Sequence, residues 1–211
     1  MENEVHRRRT LGVLLFPGFE LLDVFGPLEA FGMRIAKEHF DAVLVADRPG
    51  AVESAQGPKA LAEAGIDDAR PLDLILVPGG IGTRKEVDNR RLTAWIAKRS
   101  AAAELAMSVC TGAALLAKAG VLDGRRATSN KAAFAWVVSQ GPHVRWVQRA
   151  RWVEEGKFWT SSGVSAGIDM ALAVIARLTR LELAEEIAAR MEYEWHRDAG
   201  HDPFAAIYEL A

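Results

Sequence analysis

Cys110 is the single cysteine of the chain, and its surroundings suit a nucleophile. The stretch Glu104-Leu-Ala-Met-Ser-Val-Cys110-Thr-Gly-Ala-Ala-Leu-Leu-Ala-Lys-Ala-Gly120 reads as an apolar strand running into a helix, with the cysteine at the junction. A thiol there meets the positive end of the helix dipole and free backbone N–H groups, so its thiolate is expected to be stabilised. A sharp strand-to-helix turn exposes its apex residue, as in elbows that carry a nucleophilic serine. Thr111-Gly112 lets the backbone approach a substrate closely, and the amides after Cys110 could stabilise developing negative charge. The bland alternative is a small apolar side chain packed at a strand end.

Asp23 stands among Leu21, Leu22, Val24 and Phe25. Two placements compete: a water-facing residue at a helix start, or a carboxyl group beside the thiol. Burial would raise its pKa and let it shuttle a proton near neutral pH. Glu20 and Glu29 compete for the same role. Pro78-Gly79-Gly80-Ile81-Gly82 follows an apolar run and is a candidate source of backbone donors. It matches neither a phosphate-binding loop nor a dinucleotide fingerprint. The histidines read as solvated: Thr111 rather than histidine follows the cysteine, and His196 and His201 lie in a glycine-containing tail whose spacing defines no metal geometry. Trp136, Trp146, Trp152 and Trp159 read as core or interface contacts, with Trp152 and Trp159 a candidate pair across a hairpin.

These groups need elements to position them. Thr10–Phe16, Phe40–Ala46, Leu72–Val77 and Leu105–Val109 are near-continuous apolar runs, as expected of strands buried on both faces. Helical spacing follows over Leu21–Lys37, interrupted at Gly26-Pro27, where a new turn is expected to start. Asn89–Ser100, Thr111–Ala119, Lys131–Val138, Val164–Leu178 and Leu181–Glu194 are further helices. Pro49–Ala64 could hold a short hairpin. Gly124–Ser129 is expected as a strand, and Val144–Val153 and Lys157–Ser161 as strands joined around Glu154-Glu155-Gly156. Strands alternating with helices predict a parallel sheet covered on both faces, with ligands bound outside the carboxyl ends of the strands. The absence of repeats and linkers predicts one domain over residues 1–211.

Composition bounds the function. With 211 residues, net charge −2 and 26% charged residues, the chain has the make-up of a soluble globular protein. One cysteine fits a reducing, cytoplasmic setting. No apolar run approaches the roughly 18 residues of a membrane span, and no basic stripe supports nucleic-acid binding. Arg7, Arg8 and Arg9 read as a solvated start without a signal-peptide core.

Taken together, Phe16-Pro-Gly-Phe-Glu-Leu-Leu-Asp23-Val-Phe-Gly-Pro27, Val77-Pro-Gly-Gly80, Ser108-Val-Cys-Thr-Gly112, Leu122-Asp-Gly-Arg-Arg-Ala-Thr128 and Gly163-Val-Ser-Ala-Gly-Ile-Asp169 resemble the ThiJ/PfpI superfamily. Within it they are most similar to the isocyanide (isonitrile) hydratase branch. The resemblance implies a flavodoxin-like three-layer α/β sandwich with a mostly parallel central sheet, like class I glutamine amidotransferases, and a homodimer. It implies Cys110 as nucleophile and Asp23 as its acid/base partner, with Gly79, Gly80, Ile81, Thr111 and Asn130 around a small-molecule electrophile, and neither metal nor organic cofactor. The reaction would convert an isocyanide to an N-substituted formamide through a thioimidate. Thr128-Ser129-Asn130 replaces the usual Thr-Thr-His, which alters a pocket-facing position. The alternatives are a cysteine-oxidation sensor and a glyoxalase-like hydratase of 2-oxoaldehydes.

Overall fold

The computed structural model describes residues 7–210. His6, read above as solvated, lies outside them, as do the two ends of the expected single domain. The apolar runs become strands β1 (Arg9–Leu14), β2 (Phe40–Ala46), β3 (Gly50–Glu53), β4 (Lys59–Ala62), β5 (Ala64–Gly65), β6 (Leu74–Val77), β7 (Leu105–Ser108), β8 (Arg126–Ala127), β9 (Arg145–Trp146), β10 (Trp152–Glu155) and β11 (Phe158–Ser161). The helices are α1 (Leu21–Gly32), α2 (Thr83–Glu86), α3 (Arg90–Ala102), α4 (Gly112–Lys118), α5 (Phe134–Gln140), α6 (Ala166–Leu178), α7 (Leu181–Arg190) and α8 (Phe204–Ile207). None of the described helices is long and apolar enough to cross a membrane.

Seven strands form one sheet in the order β10-β11-β7-β6-β1-β2-β5, parallel except for the β10–β11 hairpin at one edge. Every residue of β6 and β7 is buried, because helices cover both faces. Leu11, Leu14, Leu74, Leu76, Met107 and Leu115 form the interior of the core. This is the expected flavodoxin-like α/β arrangement, and its topology matters for the site. From β1 the chain moves outward to β2, then returns across β1 to β6. The crevice at such a reversal is where open α/β sheets bind ligands. The loops that leave β1, β6 and β7 therefore emerge side by side, carrying Asp23, Gly79-Gly80 and Cys110.

Three local expectations are corrected. Helix α1 runs through Pro27 without a restart and stops at Gly32 rather than Lys37. The missing proline N–H costs one bond to the Asp23 carbonyl, and packing of α1 on α6, with Pro27 buried, outweighs it. The expected strand Val144–Val153 splits in two: β9 pairs with β8 in a small parallel sheet, and only Trp152 onward joins the hairpin. Trp152 lies opposite Ser161 and Trp159 opposite Glu154, so the two tryptophans are diagonal neighbours rather than a facing pair.

The tail after α7, for which sequence supplies no role, is tied to the body by buried charges. Arg151 Nε donates to Asp169 Oδ2 at 2.7 Å, Tyr193 Oη to Asp169 Oδ1 at 3.0 Å, and the His196 amide to the same oxygen at 2.9 Å. Asp202 lies 3.8 Å from Arg151 and 3.9 Å from Lys131. It serves these two cations. Burial lowers the Lys131 pKa to about 8.

Candidate active site

Cys110 has φ +57, a left-handed conformation that side chains other than glycine rarely adopt. Such strain persists only where the surroundings over-determine it, and here both peptide groups of the residue are clamped. Its N–H donates to the Ser162 carbonyl at 3.0 Å, and its carbonyl accepts the Ser129 hydroxyl at 2.8 Å. Gly112 lets the turn close: a Cβ there would stand 2.1 Å from the Val77 carbonyl oxygen. Val164, another non-glycine residue at positive φ (+38), directs its N–H at the Cys110 sulfur. Two strained residues thus meet at one thiol.

Asp23 is fully buried in the first turn of α1. Its Oδ2 accepts the Gly79 N–H at 2.8 Å, while Oδ1 has no hydrogen-bond partner among the described residues. The Cys110 thiol lies against this carboxyl, with no aligned bond yet formed between them; such contacts commonly tighten only with substrate. Burial raises the Asp23 pKa to about 8; Glu20 adds to the rise, and the Gly79 amide and the thiol oppose it. Of the two placements weighed from sequence, the chain takes the buried one, and Glu20 turns to Gln56 instead.

The thiol departs from expectation. Burial first, and then the negative charge of Asp23, push the Cys110 pKa above the ordinary thiol range. The Thr111 amide and hydroxyl and the Val164 amide pull it down but do not compensate. With 6% exposure, the elbow has too little solvent for its few N–H groups to hold a resting thiolate. Both shifts favour the protonated forms, a thiol beside a carboxylic acid.

The glycine loop also acts differently from expectation. The Gly79 amide holds Asp23, and the Gly80 N–H donates to Thr111 Oγ1 at 3.0 Å, so neither is free to polarise a ligand. A Cβ on Gly79 would meet the Thr111 amide nitrogen at 2.5 Å and Asp23 Oδ2 at 2.8 Å, which shows how closely loop, acid and elbow approach. The Ile81 side chain is 67% exposed and turned outward. The Thr111 N–H remains directed at the sulfur. Asn130 caps the turn before α5 by accepting the Ala133 N–H at 2.9 Å. It also lines a cavity of about 210 Å³ with Ser162, Gly163, Val164, Phe204 and Tyr208.

Sequence reasoning missed five contributors. Ser129, Ser162 and Val164 reach the cysteine from segments far along the chain. Thr83 lies 3.1 Å from Thr111 Oγ1 and donates to the Gly80 carbonyl at 2.7 Å. Arg84 stacks its guanidinium 3.5 Å over the Trp136 ring, donates to Thr83 Oγ1 at 3.3 Å, and lies within charge-interaction range of the Cys110 sulfur. Only the adjacency of Thr83-Arg84 to the glycine turn could have signalled them.

Known proteins share this architecture. Residues 9–177 match the DJ-1/PfpI family. The chain is 31% identical over 183 residues to an isonitrile hydratase of Pseudomonas putida, covering 87% of this chain and 78% of that one. It is 29% identical over 189 residues to the HTH-type transcriptional regulator GbdR of Pseudomonas aeruginosa, covering 88% of this chain and 51%, about half, of the regulator. The crystal structure of a ThiJ/PfpI family protein from Pseudomonas syringae superposes with a TM-score of 0.79 at 27% identity, covering 99% of this chain and 88% of that one. The match runs from β1 nearly to the end of α6 and so takes in the acid, the glycine turn and the elbow. The chain belongs to the DJ-1/PfpI family.

Proposed function

We propose that the chain is a cysteine-dependent hydratase that converts an isocyanide to an N-substituted formamide. The observation that carries this reading is the fully buried Asp23 carboxyl beside the elbow thiol, with Oδ1 unpaired among the described residues and burial favouring its protonated form. An isocyanide carbon must gain both a proton and a nucleophile. A neutral acid–thiol pair delivers them without placing net charge in a buried site. Asp23 donates its proton to the terminal carbon of R–N≡C as the sulfur attacks that carbon. The thiol proton passes to Asp23, and the product is the thioimidate R–N=CH–S–Cys110. Water then adds to the same carbon. Asp23 relays a proton from the water toward the nitrogen, and collapse of the adduct releases R–NH–CHO and the thiol. No metal or organic cofactor enters. The Thr111 and Val164 amides offset charge developing on sulfur in both steps.

The similarity to an isonitrile hydratase supports the same reading. The oxidation-sensor alternative needs an accessible thiolate, and the raised, enclosed thiol counts against it. The reading carries with it a small-molecule electrophile as ligand and a cytoplasmic homodimer. The test is formamide production from alkyl and aryl isocyanides, abolished in Cys110→Ala. The rate should fall as pH rises through about 8, where Asp23 loses its proton. Absence of formamide from every isocyanide tried, with folded protein, overturns the proposal.

A further inference from the structure

We infer that the Arg84–Trp136 stack selects electrophiles bearing a carboxylate a few bonds from the reacting carbon; this deepens the hydratase reading and rests on it. Arg84 lies one residue beyond Thr83, whose hydroxyl joins the Gly80 carbonyl and Thr111 Oγ1. The guanidinium is pinned from two sides, by the Trp136 ring at 3.5 Å and by Thr83 Oγ1 at 3.3 Å. Trp136 belongs to α5, which follows the Ser129 segment clamping the elbow from the other side. The stack therefore bridges the two segments that flank Cys110.

A pinned guanidinium forfeits little conformational freedom when it binds. Arg84 has one side-chain hydrogen bond and no carboxylate partner among the described residues. Arg151, by contrast, is committed to Asp169 and Asp202. Most of the Arg84 fork is open to a ligand, and a planar bidentate donor set matches a carboxylate. Burial favours the neutral form of Asp23 up to about pH 8, which leaves Glu20, held by Gln56, as the negative charge a ligand on the far side of the thiol would have to avoid. Lys131, which lines the cavity beside Val164, is committed to Thr128, the Ala150 carbonyl and Asp202, whereas a neutral isocyanide would leave the Arg84 fork to water.

The experiment compares isocyanoacetate with its neutral methyl ester, reading kcat/KM by formamide release, in the wild type, Arg84→Gln and Arg84→Lys. A charge-assisted contact predicts a preference for the carboxylate of about 10-fold or more. That preference should fall to near unity in Arg84→Gln and partly return in Arg84→Lys, which keeps the charge but not the planar fork. In parallel, the rates at which iodoacetate and iodoacetamide alkylate Cys110 are followed by intact mass at pH 7. The iodoacetate-to-iodoacetamide ratio should drop about 10-fold in Arg84→Gln. The alkylation arm requires no turnover. If isocyanides are not hydrated but that ratio depends on Arg84, the anion site stands and the hydratase reading falls. If isocyanides are hydrated and neither ratio responds to Arg84→Gln, the inference falls and the hydratase reading stands.

Discussion

Asp23→Asn separates chemistry from stability in one substitution. The amide keeps the volume of the side chain and an oxygen for the Gly79 N–H, but it has no proton to exchange. Loss of the acid/base relay predicts a 10²–10⁴-fold fall in isocyanide turnover. The folded protein should respond in the opposite sense. Asp23 has a pKa of about 8 when folded and about 3.9 when unfolded. The folded state thus binds the proton more tightly, so stability is complete below about pH 4 and declines up to about pH 8. From the gap between the two pKa values, the decline reaches about 4 kcal/mol at pH 7. Asparagine has no such dependence. Its Nδ2 replaces one buried oxygen and, if left unpaired, costs about 1–3 kcal/mol. The variant should therefore be less stable than wild type at pH 4 and more stable at pH 7 by about 1–3 kcal/mol, with the difference between the two curves changing sign in between. Urea titrations at several pH values, with linear extrapolation, measure this. Parallel stability curves for the two proteins from pH 4 to 8 would refute the buried, protonated acid and the mechanism built on it.

Other substitutions test the framework around the pair. Gly79→Ala places a Cβ 2.5 Å from the Thr111 amide nitrogen, a backbone atom that cannot yield. It should cost about 1–3 kcal/mol in urea unfolding and at least about 100-fold in turnover, because a misplacement near 1 Å has that effect. Cys110→Gly and Cys110→Ala should both lack turnover, but the glycine variant should be the more stable by about 1 kcal/mol, since φ +57 strains alanine and not glycine; equal midpoints in thermal melts would remove strain from the account. Arg151→Leu leaves Asp169 and Asp202 without their buried guanidinium. It should destabilise the protein by about 3–5 kcal/mol and expose the tail after α7 to limited proteolysis, a change gel analysis would register.

What a chain encodes locally could be read without coordinates. Apolar runs ending in Pro17-Gly18, Pro78-Gly79 and Cys110-Thr111-Gly112 marked the strand ends, because turn chemistry and two-sided burial act over a few residues. With strands and helices alternating outside two hairpin segments, they implied a parallel sheet and the convergence of the three loops. Helix α3 was legible to within two residues from its amphipathic spacing, and the structure adds the Asn89 side chain as its N-cap. The failures are equally specific. Proline chemistry alone argues for a break at Pro27, yet α6 packing holds α1 together. Helix-dipole reasoning argues for a thiolate at Cys110, yet enclosure and Asp23 reverse the balance. A free Gly80 amide is a fair expectation until Thr111 Oγ1 is found to occupy it.

Sequence by itself therefore determined the fold class and the strand–turn–helix setting of Cys110, since each depends on neighbours along the chain, while the choice of Asp23 over Glu20 and Glu29 as the acid rested on the family resemblance. Tertiary structure decided the burial of Asp23 against the Cys110 thiol, which raises the pKa of both, the clamps from Ser129, Ser162 and Val164, the stacking of Arg84 on Trp136, and the charges that hold the tail. Those properties arise from desolvation and from contacts between residues tens of positions apart, and both exist only once the sheet and its covering helices have closed around them.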